Sequence, residues 1–136
     1  ARNGPMQASQ SDKTFGEKRM FKVVGLFKRK PGMSFEEFKD YYENVHAHLG
    51  TPVFGAGGVQ YMRRYLTPIP NPLTGEAAES DCDVIMEMWF KDKDHFEQTV
   101  GALQEPELAR RIAEDEPKLF DVGKIRMFFD EEHVSA

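Results

Sequence analysis

The chain has 136 residues and a formal net charge of −5, and 40% of its residues are hydrophobic and 12% aromatic. This length suits one domain with a core of its own. The acidic balance, without any block of basic residues, argues against a nucleic acid or an anionic membrane as a partner.

Cysteine content and the chain ends indicate the compartment. Cys82 is the only cysteine, so no disulfide can form within the chain and nothing indicates an oxidising compartment. No apolar run approaches the roughly 20 residues that span a bilayer, and we expect a cytoplasmic protein. Residues 1–19 lack a signal-peptide pattern; we expect a flexible arm whose first residues are left over from cloning, with the native chain starting at Met6. We expect a single domain over 20–132 and a short tail, 133–136.

The first predicted elements are a strand and a helix. Residues 20–30 are rich in Val, Phe and Leu and end at a Pro-Gly turn, so they predict a strand. Ser34 and Glu37 have the spacing of a capping box at a helix N-terminus. Apolar side chains then recur at steps of three and four residues, which predicts a helix with one buried face. Gly50 and Pro52 are expected to end this helix.

The remaining pattern predicts three more strands and a second helical region. The glycine-rich residues 51–59 are expected to form a loop. Residues 68–80 are too long for a tight hairpin and suit a lid or a dimer contact. Asp92 or Asp94 can cap the second helical region, which Pro106 restarts and Pro117 breaks. The expected strands cover 59–68, 83–91 and 123–132.

The order strand, helix, strand, strand, helix, strand is the ferredoxin-like pattern βαββαβ. It predicts an α+β fold in which helices cover one face of a four-stranded antiparallel sheet. From the alternation of side chains along each strand, we expect the helix-covered face to hold Met86, Met88, Phe90, Ile125, Met127 and Phe129. We expect the open face to hold Phe27, Tyr61, Tyr65, Ile85, Glu87, Trp89, Arg126 and Phe128.

The expected open face is strongly aromatic, yet it also holds charges. A large exposed apolar patch marks a partner or a ligand site. Two copies that pack face to face about a two-fold axis would bury it. The space between them would be apolar with a few placed polar groups, which is typical of a small-molecule pocket.

Residues 22–50, "KVVGLFKRKPGMSFEEFKDYYENVHAHLG", resemble the opening of the EthD family, within the dimeric α+β barrel superfamily. The matching features are the basic turn "KRKPGMS" after the strand, the helix rich in Phe and Tyr, and "VHAHL" at 45–49, where the family shows a "VHxPL"-like segment. The order of elements also matches over residues 20–130. The resemblance implies a homodimer formed by pairing into a dimeric α+β barrel.

The resemblance also implies a kind of activity. Members of the EthD family are associated with the breakdown of xenobiotics and the tailoring of aromatic polyketides, and related barrels include cofactor-free monooxygenases, isomerases and lyases. By this resemblance, His46 matches the helix-end histidine of the family. His48 stands where the family commonly has proline, so it either adds a functional group or extends the helix.

His46 is the first catalytic candidate. On a helical wheel it lies near Phe35 and Tyr42, at the edge of the buried stripe. An imidazole can transfer a proton near neutral pH without a cofactor. The alternative is a histidine that caps or packs the negative end of the helix. With the family resemblance, we favour a general acid/base.

Glu87 is the second catalytic candidate. It lies in an apolar strand, where a carboxylate is costly to bury unless it is paired. A pair with Arg63 or Arg126 would make it structural. Unpaired in a pocket, its pKa would rise, as suits an acid or a base.

Aromatic rings and arginines supply the expected substrate contacts. The rings can line an aromatic substrate, and an arginine can hold an anionic group. Packing within the helix or between two copies is the alternative for each ring. The expected contacts are Tyr42, His48, Tyr61, Arg63, Tyr65, Trp89 and Arg126.

No metal or other cofactor is expected. On a regular helix His46 and His48 lie about 160° apart, too far to share one ion. Cys82 lies between two aspartates, which raise the pKa of a thiol and disfavour nucleophilic catalysis.

We therefore predict a cofactor-independent enzyme that acts on a hydrophobic small molecule by elimination, decarboxylation or isomerisation. The alternatives are a cofactor-free monooxygenase of phenol- or anthrone-like compounds and a non-catalytic protein that binds such a compound.

Overall fold

Residues 20–136, the part of the chain that the computed structural model describes, contain four strands and five α-helices. The strands are β1 (Phe21–Phe27), β2 (Gln60–Tyr65), β3 (Val84–Phe90) and β4 (Arg126–Phe129). The helices are α1 (Phe35–Tyr41), α2 (Ala47–Leu49), α3 (Thr51–Gly57), α4 (Lys93–Leu103) and α5 (Pro106–Asp115). A π-helical turn covers Tyr42–His46, and 3-10 turns cover Glu116–Lys118 and Val122–Lys124. None of these helices is long and apolar enough to cross a membrane. The arm predicted at residues 1–19 lies outside the described residues.

The strands form one antiparallel sheet in the order β2-β3-β1-β4. This is the ferredoxin-like arrangement, in which the two halves of the chain interleave so that β1 and β3 lie at the centre. The predicted α+β fold, with helices on one face of a four-stranded antiparallel sheet, is confirmed.

The strand register decides which side chains the helices cover. Tyr61 is paired with Met88, and Tyr65 and Phe27 are both paired with Val84. Paired residues of neighbouring strands point to the same face, and Val84 belongs to the buried core. Phe27, Tyr61 and Tyr65 therefore lie on the helix-covered face, and their predicted place on the open face is wrong. The physical reason is that alternation shows which residues of one strand share a face, but not which face meets the helices.

The same register confirms the predicted helix-covered positions in β3 and β4. Phe90 is fully buried, with its ring against Phe96 of α4. Because side chains alternate along a strand, Met86 and Met88 lie on the same face as Phe90. The confirmed residues are Met86, Met88, Phe90, Met127 and Phe129. The open face carries Lys22, Val24, Leu26, Met62, Arg64, Ile85, Glu87, Trp89, Arg126 and Phe128.

The capping box at the start of α1 is present as predicted. The Ser34 hydroxyl accepts a hydrogen bond from the Glu37 amide at 3.1 Å, and the Glu37 carboxylate accepts one from the Ser34 amide at 2.9 Å. Two of the orphan amide donors at the helix N-terminus are satisfied in this way. The next turn of α1 places Phe38 in the core, where it is fully buried.

Residues 51–57 form helix α3, where a loop was predicted. Gly50 stays in the right-handed helical region (φ −91°, ψ −4°), and Pro52 lies in the first turn of α3. The amide that proline lacks has no partner in a first turn, so Pro52 begins a new helix rather than blocking one. The helix ends at Gly58, which adopts the left-handed conformation (φ +71°) that favours glycine.

The second helical region follows the prediction. The Asp92 carboxylate caps α4 by accepting a hydrogen bond from the His95 amide at 2.8 Å, and Pro106 opens α5. Between β2 and β3, residues 68–80 form an exposed loop without a helix or strand. Its end is attached to the residue that follows β1 by an ion pair between Glu79 and Lys28 at 2.6 Å.

Candidate active site

A cavity of about 300 Å³ lies between the helix-covered face of the sheet and the helices. Most of its wall is apolar, with side chains from every layer of the fold. The apolar lining comprises Phe27, Ala47, Leu49, Gly50, Phe54, Met86, Met88, Leu103, Ile112, Phe120, Ile125 and Met127. The polar side chains in the described wall are Tyr42, His46, Tyr61 and Glu116. A concave apolar space with a few convergent polar groups is the usual form of a small-molecule site.

The π-helical turn supplies two of the polar groups. Tyr42 and His46 stand at its two ends, and both side chains lie on the buried side, where Tyr42 is 1% and His46 9% exposed. Their rings meet edge to face at 5.5 Å, and His46 meets the Phe120 ring in the same way at 5.3 Å. Single π-helical turns inside α-helices are frequent at functional sites.

The imidazole of His46 is held by a buried carboxylate. Its Nδ1 lies 2.8 Å from Oδ2 of Asp115, the last residue of α5, and both side chains are 9% exposed. The Tyr41 hydroxyl donates to the other oxygen of Asp115 at 2.5 Å. A carboxylate at Nδ1 favours the tautomer with the proton on that nitrogen. This leaves Nε2 as the basic nitrogen, and no group among residues 20–136 hydrogen-bonds it.

Tyr42 and Tyr61 form a hydroxyl pair on the neighbouring wall, with their oxygens 2.9 Å apart. Burial raises the pKa of both phenols, so both stay neutral at physiological pH. One hydroxyl of the pair donates a hydrogen bond to the other. The hydroxyl that accepts it can donate its own proton in a hydrogen bond to a third oxygen atom.

Arg63 and Tyr65 lie behind this pair rather than in the wall. The Arg63 guanidinium lies 4.7 Å from the centroid of the Tyr61 ring, and its Nε and Nη2 donate to Glu43 at 2.6 and 3.0 Å. The Tyr65 hydroxyl also donates to Glu43. The hydrogen bond from Arg63, aided by the one from Tyr65, lowers the pKa of Glu43 although partial burial opposes it. This network joins the π-helical turn to β2.

Glu116 is the remaining polar group of the wall. It is half-buried, and burial raises the pKa of its carboxyl. The nearby charge of His46 opposes that rise, and the charge of Asp115 adds to it. The carboxyl has no hydrogen-bond partner among residues 20–136.

The structure brings part of the predicted site together. Tyr42, His46 and Tyr61 line the cavity, and Arg63 and Tyr65 support it from behind. These residues come from the first helical region and from β2, which lie side by side because β2 is the edge strand beneath the π-helical turn.

The other predicted residues lie elsewhere. Glu87, Trp89 and Arg126 occupy the open face, so the sheet separates them from His46, and the two predicted catalytic residues, His46 and Glu87, do not share one site. Glu87 accepts hydrogen bonds from Arg64 at 2.6 Å and from Trp89 at 2.8 Å. The ion pair predicted for it with Arg63 or Arg126 is replaced by one with Arg64, which shares its face.

His48 is exposed and does not line the cavity. It follows His46 by two residues and therefore points to the other side of the helical segment, where its charge helps to lower the pKa of Glu43. Within the described range 20–136, no three His, Cys, Asp or Glu side chains are grouped so that they could hold a metal ion.

Asp115 and Glu116 are site residues that the sequence pattern did not indicate. In the sequence they are two acids in an acidic stretch before Pro117. The hydrogen bond between Asp115 and His46 joins positions 69 residues apart. Only the packing of α5 against the π-helical turn shows that Asp115 contacts the cavity histidine and that Glu116 lines the cavity.

Comparison with known proteins extends these observations. An ethyl tert-butyl ether D (EthD) family protein from Bacillus halodurans C-125 is 21% identical, with a TM-score of 0.55, over 84% of this chain and 99% of that chain. The Arabidopsis thaliana protein At3g17210 is 16% identical, with a TM-score of 0.52, over 85% of this chain and 98% of that chain. At these identities the two structures show a shared fold. No curated protein matches the sequence significantly.

The sequence match is to a domain family. Residues 30–123 match the EthD domain. This range begins at the end of the basic turn after β1 and includes the π-helical turn, α5 and Glu116. It covers well over half of the chain, and the chain therefore belongs to the EthD family.

Proposed function

We propose that this protein is a cofactor-independent enzyme that transfers protons on a hydrophobic small molecule, with His46 as the general acid/base. The observation that supports this most is the 2.8 Å contact between His46 and Asp115 in the wall of an apolar cavity. It fixes the imidazole and leaves Nε2 as the nitrogen that a ligand can reach. A cytoplasmic location and the absence of nucleic-acid and membrane partners stay predictions from composition.

The chemistry follows from the groups in the wall. A neutral imidazole accepts a proton from carbon or oxygen and returns it later, which serves elimination, decarboxylation and isomerisation. Asp115 stabilises the imidazolium that forms, as a carboxylate does in other histidine sites. The apolar surroundings strengthen both interactions because water does not screen them.

The size and lining of the cavity indicate a compact aromatic or otherwise hydrophobic substrate. Its volume of about 300 Å³ is at the lower end of the range of about 300–1,000 Å³ for small-molecule sites. In this proposal the Tyr42–Tyr61 hydroxyl pair contacts an oxygen of the substrate, and Arg63 and Tyr65 position the pair. Glu87, Trp89, Arg126 and His48 are given no part in the chemistry.

Hydrogen–deuterium exchange of a simple ketone tests the role of His46. In D2O, the wild-type protein should accelerate exchange of the protons next to the carbonyl of 2-tetralone, as followed by NMR. His46→Ala should slow the catalysed exchange by about 100-fold or more, whereas His48→Ala, the matched change at an exposed histidine, should leave it unchanged. Equal rates for His46→Ala and the wild type would refute the role.

Two further observations separate the alternatives from this proposal. Protein-dependent oxygen uptake with anthrone, in place of proton exchange, would favour a cofactor-free monooxygenase. Saturable binding of 2-tetralone without any exchange by the wild-type protein would favour a non-catalytic binding protein.

We also propose that two copies pair through the open face of the sheet. Phe128 is 48% exposed there, beside Val24 and on the same face as Trp89 and Ile85. A mostly apolar sheet face of this kind suits a two-fold interface. Sedimentation should give about twice the one-chain mass of 15.6 kDa. Phe128→Asp should shift the protein to the one-chain mass, and Val45→Asp, at an exposed helical position, should not. A wild-type protein that sediments as a single chain at micromolar concentration would exclude this dimer.

A further inference from the structure

Glu116 supplies the one carboxyl group among the described residues that line the cavity. It begins the 3-10 turn directly after Asp115, the residue that holds His46. Its backbone carbonyl accepts hydrogen bonds from the amides of Leu119 at 3.2 Å and Phe120 at 2.9 Å. The backbone at this position is therefore fixed relative to the histidine, and the carboxyl is placed by the same short segment that positions the base.

The surroundings of this carboxyl make it a weaker acid than an exposed glutamate. Burial raises its pKa, and so does the adjacent carboxylate of Asp115, while His46 is the one group that lowers it. Apart from the imidazole of His46, the rest of the lining is apolar or phenolic. A carboxylic acid that keeps its proton is a hydrogen-bond donor, and in an apolar site it can donate to a carbonyl oxygen.

We propose that Glu116, as a carboxylic acid, binds the carbonyl oxygen of the substrate while His46 removes a proton from the adjacent carbon. The substrate class is then a neutral carbonyl compound with a C–H bond next to the carbonyl. This inference rests on the proposed function, because it concerns the same reaction. His46 removes one proton from the substrate, and Glu116 supplies another to the carbonyl oxygen.

The step balances without an oxidant or a reductant. The C–H bond breaks and its proton goes to Nε2 of His46, while its electron pair forms a carbon–carbon double bond. The π electrons of the carbonyl move to its oxygen, which takes the proton of Glu116. The products are the enol, an imidazolium on His46 and a carboxylate on Glu116, and the reverse transfers regenerate both residues. Isomerisation follows when the substrate is an unsaturated ketone, because its dienol can be protonated at the γ carbon instead.

Carbonyl recognition can be measured without any turnover. 9-Fluorenone is a neutral ketone with no C–H bond next to its carbonyl, so it reports binding alone. Bound to the wild-type protein, its carbonyl stretching frequency in infrared difference spectra should be lower than in an apolar solvent, because a hydrogen bond weakens the C=O bond. Glu116→Ala should move the frequency toward the apolar value, and any shift that remains would come from the Tyr42–Tyr61 hydroxyl pair. Glu116→Gln keeps the shape and an N–H donor, and should retain part of the shift.

Activity and binding should separate between the variants. Glu116→Gln and Glu116→Ala should both slow exchange of 2-tetralone by about 100-fold, since neither side chain can give up a proton. His46→Ala should lose exchange but keep the shifted carbonyl frequency. Glu114→Gln, a matched change on α5 whose side chain binds Arg110 at the surface, should alter neither. Glu116→Gln is the variant that decides the result if Glu116→Ala does not fold.

Each failure identifies the claim that is wrong. Equal carbonyl frequencies in the wild type and Glu116→Ala, or no binding of fluorenone by the wild type, would overturn the role of Glu116. His46-dependent exchange that is unchanged in both Glu116 variants would overturn it as well, and would leave the proposed function standing. A Glu116-dependent carbonyl shift without exchange in the wild type would support carbonyl recognition and refute the proposed function.

Discussion

Asp115 joins three parts of the chain through one buried carboxylate. It belongs to α5, accepts a hydrogen bond from Tyr41 at the end of α1, and contacts His46 at the end of the π-helical turn. With 6% of its surface exposed, this carboxylate depends on both partners for its stability, because burying an unpaired charge is costly. The residue that orients the base is therefore also one that holds the helices together.

Asp115→Asn should separate these two roles. The amide keeps the volume but no longer favours the tautomer with the proton on Nδ1, so we expect exchange of 2-tetralone to slow by about 10- to 100-fold. The 15N chemical shifts of His46 should show the change of tautomer directly. Loss of the charged acceptor should also lower the free energy of unfolding by about 1–3 kcal/mol, as measured by urea denaturation.

Tyr41→Phe is the matched control for Asp115→Asn. It removes one hydrogen bond to the same carboxylate without touching the imidazole. It should lower stability while leaving the 15N shifts of His46 unchanged. If Asp115→Asn also leaves those shifts unchanged, Asp115 does not set the tautomer.

At the scale of elements, His95 ties helix α3 to the start of α4. Its Nδ1 accepts a hydrogen bond from the Lys91 amide at 2.9 Å, so the ring proton is on Nε2, which donates to the Gly57 carbonyl at 2.6 Å. Helix α3 carries Phe54, which lines the cavity and meets the Tyr61 ring at 4.8 Å. This histidine is therefore an indirect support of the cavity wall.

Two substitutions of His95 test this support. Asn can replace Nδ1 as the acceptor for Lys91 but does not reach Gly57, whereas Gln can place its amide near the position of Nε2. We expect hydrogen–deuterium exchange of residues 51–57, measured by mass spectrometry, to be roughly 2- to 10-fold faster in His95→Asn, which corresponds to the loss of one hydrogen bond. His95→Gln should remain closer to the wild type, and β1 and β3 should be unaffected in both. Unchanged exchange of α3 in His95→Asn would show that the contact to Gly57 does not hold the helix.

The sequence predicted elements well where their signals are local. The capping box of Ser34 and Glu37 involves positions three residues apart, and such a contact is present whatever surrounds it. Pro52 was harder to interpret, because proline ends a helix that precedes it and also begins one that follows it. In the structure Phe54 of α3 packs against Tyr61 of β2, and its ring lies so close to Gly50 that a Cβ there would be 2.7 Å from it. The π-helical turn had no signal in the sequence.

At the scale of the molecule, the candidate site could be predicted only in part. The family resemblance indicated His46. The pattern of β2 indicated Tyr61 as a site residue, but the prediction placed its side chain on the wrong face of the sheet. The carboxylates could not be found in this way, because Glu87 in β3 faces away from the helices, whereas Glu116 after α5 lines the cavity. That difference arises from strand register and from the path of α5, and both depend on contacts between residues far apart in the chain.

The four tyrosines of the chain share one property that can be tested on the whole protein. They are Tyr41, Tyr42, Tyr61 and Tyr65, and for each of them burial is the largest cause of a raised pKa. For Tyr41 the raised value is about 12. In the unfolded chain a tyrosine titrates near its ordinary pKa of about 10. All four phenols therefore release their protons more easily when the protein unfolds.

The consequence is a loss of stability in alkali. Below pH of about 10 the phenols are protonated in both states, and their contribution to folding is fully present. As the pH rises further, the unfolded chain loses these protons first, so the free energy of unfolding should fall, through about pH 12 for Tyr41. Ultraviolet absorbance of the native protein should show no tyrosinate near the ordinary pKa, whereas the protein in guanidinium chloride should titrate there. Tyr41→Phe should keep the delayed titration of the three remaining phenols. Tyrosinate could instead form at the ordinary pKa while circular dichroism still reports a folded chain. That result would contradict the buried Tyr42–Tyr61 pair and the apolar cavity wall on which the proposed chemistry depends.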